Sequence, residues 1–164
     1  MSAELKQAVV ERIDALADRL IAVSRDIHAH PELAFNEHHA SALLADTLTD
    51  AGLPVRRAVY GLETAFETEF AGGAGPRVAL LAEYDALPGI GHACGHNLIA
   101  TAALGATLGL AAVRERLRGT VRLLGTPAEE KGGGKEERLA TPGVKTDRRP
   151  AQAAESHARR PGEP

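Results

Sequence analysis

The chain is poor in the residues that most readily betray a protein's chemistry. It holds one cysteine, no tryptophan, two tyrosines and three phenylalanines in 164 residues. One cysteine excludes an internal disulfide and leaves the thiol for packing, metal binding or nucleophilic work. That fits a reducing compartment, so the cytosol is the expected location. So few aromatic rings weaken any case for a base-stacking platform for nucleic acid, and a core must be built from Ala, Leu, Val and Ile. An excess of one charge is also missing: a net charge of -3 with mixed signs is neither a nucleic-acid footprint nor a polyanion. The opening "MSAELKQAVVERIDALADRL" is charged throughout and lacks the apolar stretch of a secretory signal. No run approaches the roughly 20 apolar residues of a membrane span. These absences predict a soluble, unprocessed, cytoplasmic protein with a small-molecule or peptide partner, no nucleic acid and no membrane.

What is present has the pattern of an α/β domain. A length of 164 residues suits one domain with a real core. Apolar residues recur at helical spacing at Leu5, Val9, Ile13, Leu16, Leu20, Val23 and Ile27, which predicts one amphipathic helix to about His28. Pro31 breaks it. Asn36 is the expected cap of a second helix through Ala40, Leu43, Leu44 and Leu48, which Gly52 and Pro54 stop. "VRRAVY", "ETAFETEFA" and "RVALLAEYD" read as short strands, the last as a buried one because it is continuously apolar. "NLIATAALGATLGLAAVRERL" reads as a helix capped by Asn97 and packed closely on a sheet, and "GTVRLLGTP" as another buried strand. From about Glu136 the hydrophobic pattern is lost. Residues 136–164 are expected to be disordered, since they cannot bury enough apolar surface to offset chain entropy.

Chemistry concentrates behind two of the predicted strands, where the carboxyl ends of an α/β sheet place active sites. In "EYDALPGIGHACGH" the lone Cys94 stands two residues before His96 and two after His92. Thiolate and imidazole suit zinc and similar divalent ions, and an i, i+2 pair on an extended loop can converge on one centre. Equally, Cys94 could be a small buried hydrophobe and the histidines turn residues. In "TPAEEKGGGK" the adjacent Glu129 and Glu130 are, taken alone, most simply a solvated surface pair. Set beside a Cys/His loop, they suit a division of labour in which one carboxylate binds metal and the other moves protons. Together these residues point to a metallohydrolase.

The pieces "HAHPELAFNE", "LLAEYDALPGIGHACGHNLIATAALGA" and "GTPAEEKGGGK" stand in the order found in a known family. They resemble the aminoacylase/carboxypeptidase G group of dinuclear metallohydrolases, peptidase family M twenty, in the branch of aminoacylase-1-like-2 and p-aminobenzoyl-glutamate hydrolase proteins. The resemblance implies a three-layer αβα partial catalytic domain of a zinc-peptidase-like fold over residues 1–135, lacking the lid and dimerisation domain. It implies two divalent metal ions, Zn or Mn, in the family's full-length members. Cys94 falls at the position that bridges the metals in this branch, His96 and Glu130 at metal-ligand positions, and Glu129 at the general base. Glu83 stands where other branches have a ligand histidine and Asp85 matches an outer carboxylate, so both are left out of the ligand set. His30 is read as structural, packing the first helix pair against the domain.

Family members are longer, carry two further ligand histidines, and pair as homodimers through the lid domain. His157, in "AESHARRPGEP", matches nothing in them, and the segment 136–164 reads as a frame-shifted or non-homologous tail. The expected function is therefore hydrolysis of an amide bond in an N-acyl amino acid, a dipeptide or a p-aminobenzoyl-glutamate-like conjugate. The alternatives are a truncated inactive remnant or a metal-binding fragment that pairs with a full-length homologue. An incomplete sheet with uncovered edges predicts a marginal, aggregation-prone product. A third reading makes Cys94 a redox or nucleophilic thiol, which leaves Glu129 and Glu130 without a role.

Overall fold

The computed structural model of the protein describes residues 2–131. The segment 136–164 and His157 lie outside the described residues. Within them run α1 (Ala3–Asp14), α2 (Ala17–Ala29), α3 (His38–Asp50), β1 (Val55–Arg57), β2 (Phe66–Gly73), β3 (Arg77–Glu83), α4 (His96–Ala112) and β4 (Gly119–Thr126). Short 3-10 turns occupy Val59–Gly61 and Arg114–Arg116. The strands form a mixed sheet in the order β1-β2-β4-β3. β1 and β2 are antiparallel, as are β2 and β4, whereas β3 and β4 run parallel with Glu83 beside Thr126. The carboxyl ends of β3 and β4 therefore open side by side.

One face of the sheet carries the core. Phe66 and Phe70 of β2, Ala82 of β3 and Leu123 of β4 join Leu20, Val23 and Ile27 of α2, Leu44 and Leu48 of α3, and Leu104 and Leu108 of α4. Each large side chain buried there contributes about 1.5–3 kcal/mol of transfer free energy. Phe66 stacks on Tyr84 with ring centroids 5.9 Å apart. The opposite face is polar at β2 and β4: Arg122 pairs with Glu69 at 2.6 Å, and Glu67 bonds Arg56 and Tyr60. The sheet and one helical layer account for the described residues; the second helical layer implied by the resemblance is not among them.

Four local readings are corrected. The single N-terminal helix is two. At Leu16 the backbone N–H bonds Ile13 rather than the residue four back, and Leu16 leaves helical geometry at φ -100°, ψ 1°. The break lets both halves follow α4: Val9 and Ile13 meet it where Gly109 has no side chain, and a Cβ there would come within 3.0 Å of each. Asn36 does not cap α3. Glu32 does, its carboxylate accepting from His39 N at 2.9 Å and Ala40 N at 3.0 Å. Asn97 lies inside the first turn of α4 and donates to Ser24 at 3.1 Å, leaving Gly95 as the cap residue. β3 is an edge strand among the described residues, with Val78 51% and Leu81 41% exposed, because β4 is its one partner.

Candidate metal centre

The site is assembled by short-range backbone devices at the ends of β3 and β4. Gly95, at φ +84°, takes the left-handed conformation that a side chain resists, and so turns the "HACGH" loop straight into α4 with His96 as its first residue. His96 is buried, and its Nδ1 lies 2.8 Å from the backbone carbonyl of Asp85. A carbonyl can only accept, so this bond puts the proton on Nδ1 and leaves the Nε2 lone pair free. Asp85 Oδ1 also sits 3.1 Å from Nδ1 but without hydrogen-bond geometry, so the carbonyl is the partner that sets the tautomer.

Around Nε2 stand three carboxylates: Glu83 at 3.7 Å, Glu129 at 3.8 Å and Glu130 at 4.0 Å. Two overlapping groups result. Ligand atoms of Cys94, His96 and Glu130 all lie within 4.8 Å of one another, as do those of Glu83, His96 and Glu129. The expected site residues thus meet in one place. Glu83, which the family resemblance leaves outside the ligand set, meets them there too. It is the last residue of β3, and strand alternation turns it away from the core face that Ala82 and Tyr84 occupy. That alternation was the available signal.

The neighbouring loops are held from below. Asp85 is fully buried, and its Oδ2 accepts from the backbone N–H of Glu130 at 3.0 Å. The same residue therefore orients His96 through its carbonyl and Glu130 through its carboxylate. Glu37 is also fully buried; its Oε1 accepts from Ala128 N at 2.8 Å and its Oε2 from Thr64 Oγ1 at 3.0 Å. Ala128 is held at φ +56°, uncommon for a residue with a side chain, and it immediately precedes Glu129. Burial pushes the Glu37 carboxyl up, against the pull of these hydrogen bonds. Neither Glu37 nor the carbonyl role of Asp85 is visible in composition or spacing.

One expected role is not met. His30 does not pack the helix pair onto the domain: its side chain is 57% exposed and bonds Asp26 instead. An activated-thiol role for Cys94 also lacks support, because burial and the charge of Glu130 push the thiol up rather than down. His92 is buried with its ring centroid 6.3 Å from that of His28, and neither ring nitrogen has a hydrogen-bond partner among the described residues.

An imidazole lone pair facing three carboxylates and a thiol is a donor set for a divalent cation, since like charges brought this close need a compensating positive charge. The fold and the donors thus define an α/β protein with a candidate metal centre at the ends of two parallel strands. The chain belongs to peptidase family M20/M25/M40, whose model matches residues 79–164. It is 49% identical over 144 residues to the Xaa-Arg dipeptidase of Mus musculus, an alignment covering 80% of this chain and 33% of that protein. It is 36% identical over 137 residues to the N-acetyl-L-cysteine deacetylase of Bacillus subtilis, covering 74% of this chain and 32% of that protein. A component of the p-aminobenzoyl-glutamate hydrolase of Escherichia coli is likewise 36% identical, over 80% of this chain and 31% of its own length. Among solved structures the chain resembles a dinuclear metal binding peptidase of the M20 family from Bacillus subtilis. There the TM-score is 0.69 at 32% identity, over 77% of this chain and 39% of the other. The chain spans about a third of the length of the curated relatives it matches. No helix among the described residues is long and apolar enough to cross a membrane.

Proposed function

We propose that the protein contributes the metal-holding half of a metal-dependent amide-bond hydrolase. Cys94, His96 and Glu130 act as metal ligands, Glu129 as general base and then general acid. The observation that carries this reading is the convergence of Cys94, His96, Glu83, Glu129 and Glu130 at the adjoining ends of two parallel strands. Divalent ions bound there, zinc or manganese, would polarise an amide carbonyl and make a water more acidic. The chain's own residues do the rest. Glu129 takes a proton from the attacking water and returns it to the leaving amine, a cycle for which a carboxylate about one-third exposed is suitably mobile. Asp85 and Glu37 keep the two glutamates aimed from below, so no reorganisation is needed as charge develops.

The substrate class is an N-acyl amino acid, a dipeptide or an aminobenzoyl-glutamate-like conjugate, in keeping with what the relatives' names describe, and the setting is cytoplasmic. Structural and catalytic zinc sites use three or four protein ligands per ion. Two ions therefore need more donors than Cys94, His96 and Glu130 supply. Glu83 is one addition, and a partner chain of the same family would supply others. Metal analysis of the purified chain, with an amidase assay on a dipeptide panel, tests the proposal. Bound metal that Cys94→Ser removes, with turnover that Glu129→Ala abolishes, is the expected result. A metal-free protein would sink it.

A further inference from the structure

A second set of metal-ligand side chains lies on the surface, away from the strand ends. Asp26 is in the last turn of α2, His30 is its C-terminal cap residue, and His39 is in the first turn of α3. His30 Nδ1 sits 3.0 Å and His39 Nε2 2.5 Å from the same oxygen, Oδ1 of Asp26. The two rings lie at a centroid distance of 4.6 Å, tilted by 54° to one another. The three ligand atoms lie within 4.8 Å of one another.

We propose that Asp26, His30 and His39 form a second divalent-cation site, of zinc type, that clips α2 to α3 across the loop between them. Three donors of this kind, two imidazole nitrogens and one carboxylate oxygen, complete a zinc coordination shell with one water. In a tetrahedral shell with bonds near 2.0–2.1 Å, neighbouring donors stand about 3.3 Å apart. His30 Nδ1 therefore needs to retreat from Oδ1 by about 0.3 Å and His39 Nε2 by about 0.8 Å. His30 and His39 can do so, since their side chains are 57% and 43% exposed. As the ion enters, a neutral ring carries its proton on the nitrogen that does not ligate, an imidazolium ring releases one proton to solvent, and His30 Nδ1 gives up its contact with the Asp26 carbonyl. Asp26 already favours the ionised form that a ligand needs, chiefly through its bond to His39.

The arrangement is built rather than a chance meeting of long side chains. Glu32 caps α3 through the backbone of His39 and Ala40, which fixes the start of that helix against the end of α2. The backbone carbonyl of Glu32 also accepts from Ala86 N at 2.8 Å, one residue past Asp85. Later in the same loop comes Glu37, which holds Ala128. An ion at Asp26, His30 and His39 closes this loop into a ring. The ring's other contacts lie directly beneath the strand-end centre.

The test is a zinc titration of the full chain, with calorimetry or a competing chromophoric chelator, above the pH range in which free histidine is protonated. In a Cys94→Ser/His96→Ala variant, which disables the strand-end centre, one zinc equivalent should remain and should raise the melting temperature. Adding His39→Ala or Asp26→Ala should weaken that equivalent at least tenfold and abolish the thermal shift. Should the double variant not fold, His39→Ala in the otherwise unaltered chain must lower the zinc stoichiometry by one while leaving metal at the strand-end centre. Unchanged stoichiometry and affinity in the His39 and Asp26 variants would overturn the proposal. A failure here leaves the strand-end reading intact, because the two sites share no residue.

Discussion

His96 and His30 are both imidazoles beside carboxylates, yet the side chain of one is 4% exposed and that of the other 57%. The first is oriented by a backbone carbonyl, at the point where a strand end meets a helix start. The second is oriented by Asp26, one helical turn earlier. The strand-end group is thus assembled by folding itself: Glu83 ends a paired strand, His96 starts α4, and the backbone of Glu130 is held by Asp85. In the surface group the Glu32 cap fixes the two helix ends, but the exposed side chains themselves can leave by ordinary rotamer motion. A preorganised donor set loses little entropy when an ion arrives, so the strand-end centre should be the tighter of the two.

The largest break in this contrast should come from His96→Ala. It removes the donor common to both inner groups, and metal affinity there should fall by well over about 100-fold, more than loss of an outer partner costs. Equilibrium dialysis measures it, and the surface group should be unaffected. Asp85→Ala comes next. It leaves the donor atoms in place but frees the Glu130 loop, and a loss of about 10- to 100-fold in inner-site affinity is expected, without loss of the fold. An unchanged affinity would show that Asp85 does not orient the ligands.

Glu37 separates positioning from stability. Glu37→Ala leaves Ala128 N–H and Thr64 Oγ1 buried without their partner, at about 1–3 kcal/mol for each group. Glu37→Gln keeps an acceptor for Ala128 and should restore most of that loss. The pH dependence carries a defined sign. Burial raises this carboxyl above its unfolded value near 4.5, so its contribution to stability is full below that value and declines as pH rises through the folded value. Denaturant melts should therefore show Glu37→Gln gaining on the unaltered chain as pH rises above 4.5. A constant difference across that range would contradict the assignment.

The smallest effect belongs to the surface group without metal. Asp26 is held below the usual carboxylate range, chiefly by His39, so its contribution is present above about 3.8 and lost as pH falls through the lowered value. His30 is raised by the Asp26 carbonyl and then its carboxylate, so its contribution is full below 6.5 and lost as pH rises through the raised value. The pairing thus acts between those two limits. Asp26→Asn should flatten the melting temperature across that window by less than either Glu37 variant does, because the groups are solvent-exposed and screened.

Much of the framework was legible from residue order. The apolar stretches mark α3, α4 and β4, and the two chemistry-bearing loops fall at strand ends as expected. The misreadings share a cause. Hydrophobic spacing continues unbroken through Leu16, so nothing in it shows that both halves must lie along α4. Capping was assigned to the nearest Asn, yet Glu32 reaches α3 from seven residues away and Gly95 starts α4 by backbone freedom. The uniformly apolar β3 reads as buried, but its burial depends on what lies on either side of it.

The sequence by itself determined the kinds of donor available, a soft thiol, imidazoles and carboxylates, and their rough place behind two strands. Donor chemistry is a property of the residue, and strand ends follow from glycine and proline punctuation. Only the tertiary structure decided which donors share a centre. The parallel register of β3 with β4 brings Glu83 to Glu129 and Glu130, and one backbone carbonyl turns His96 toward all three. The same folding closes α2 onto α3, where Asp26, His30 and His39 meet, from residues that spacing alone leaves unrelated. Direction and distance between side chains far apart in the chain depend on pairing and packing, which no local pattern records.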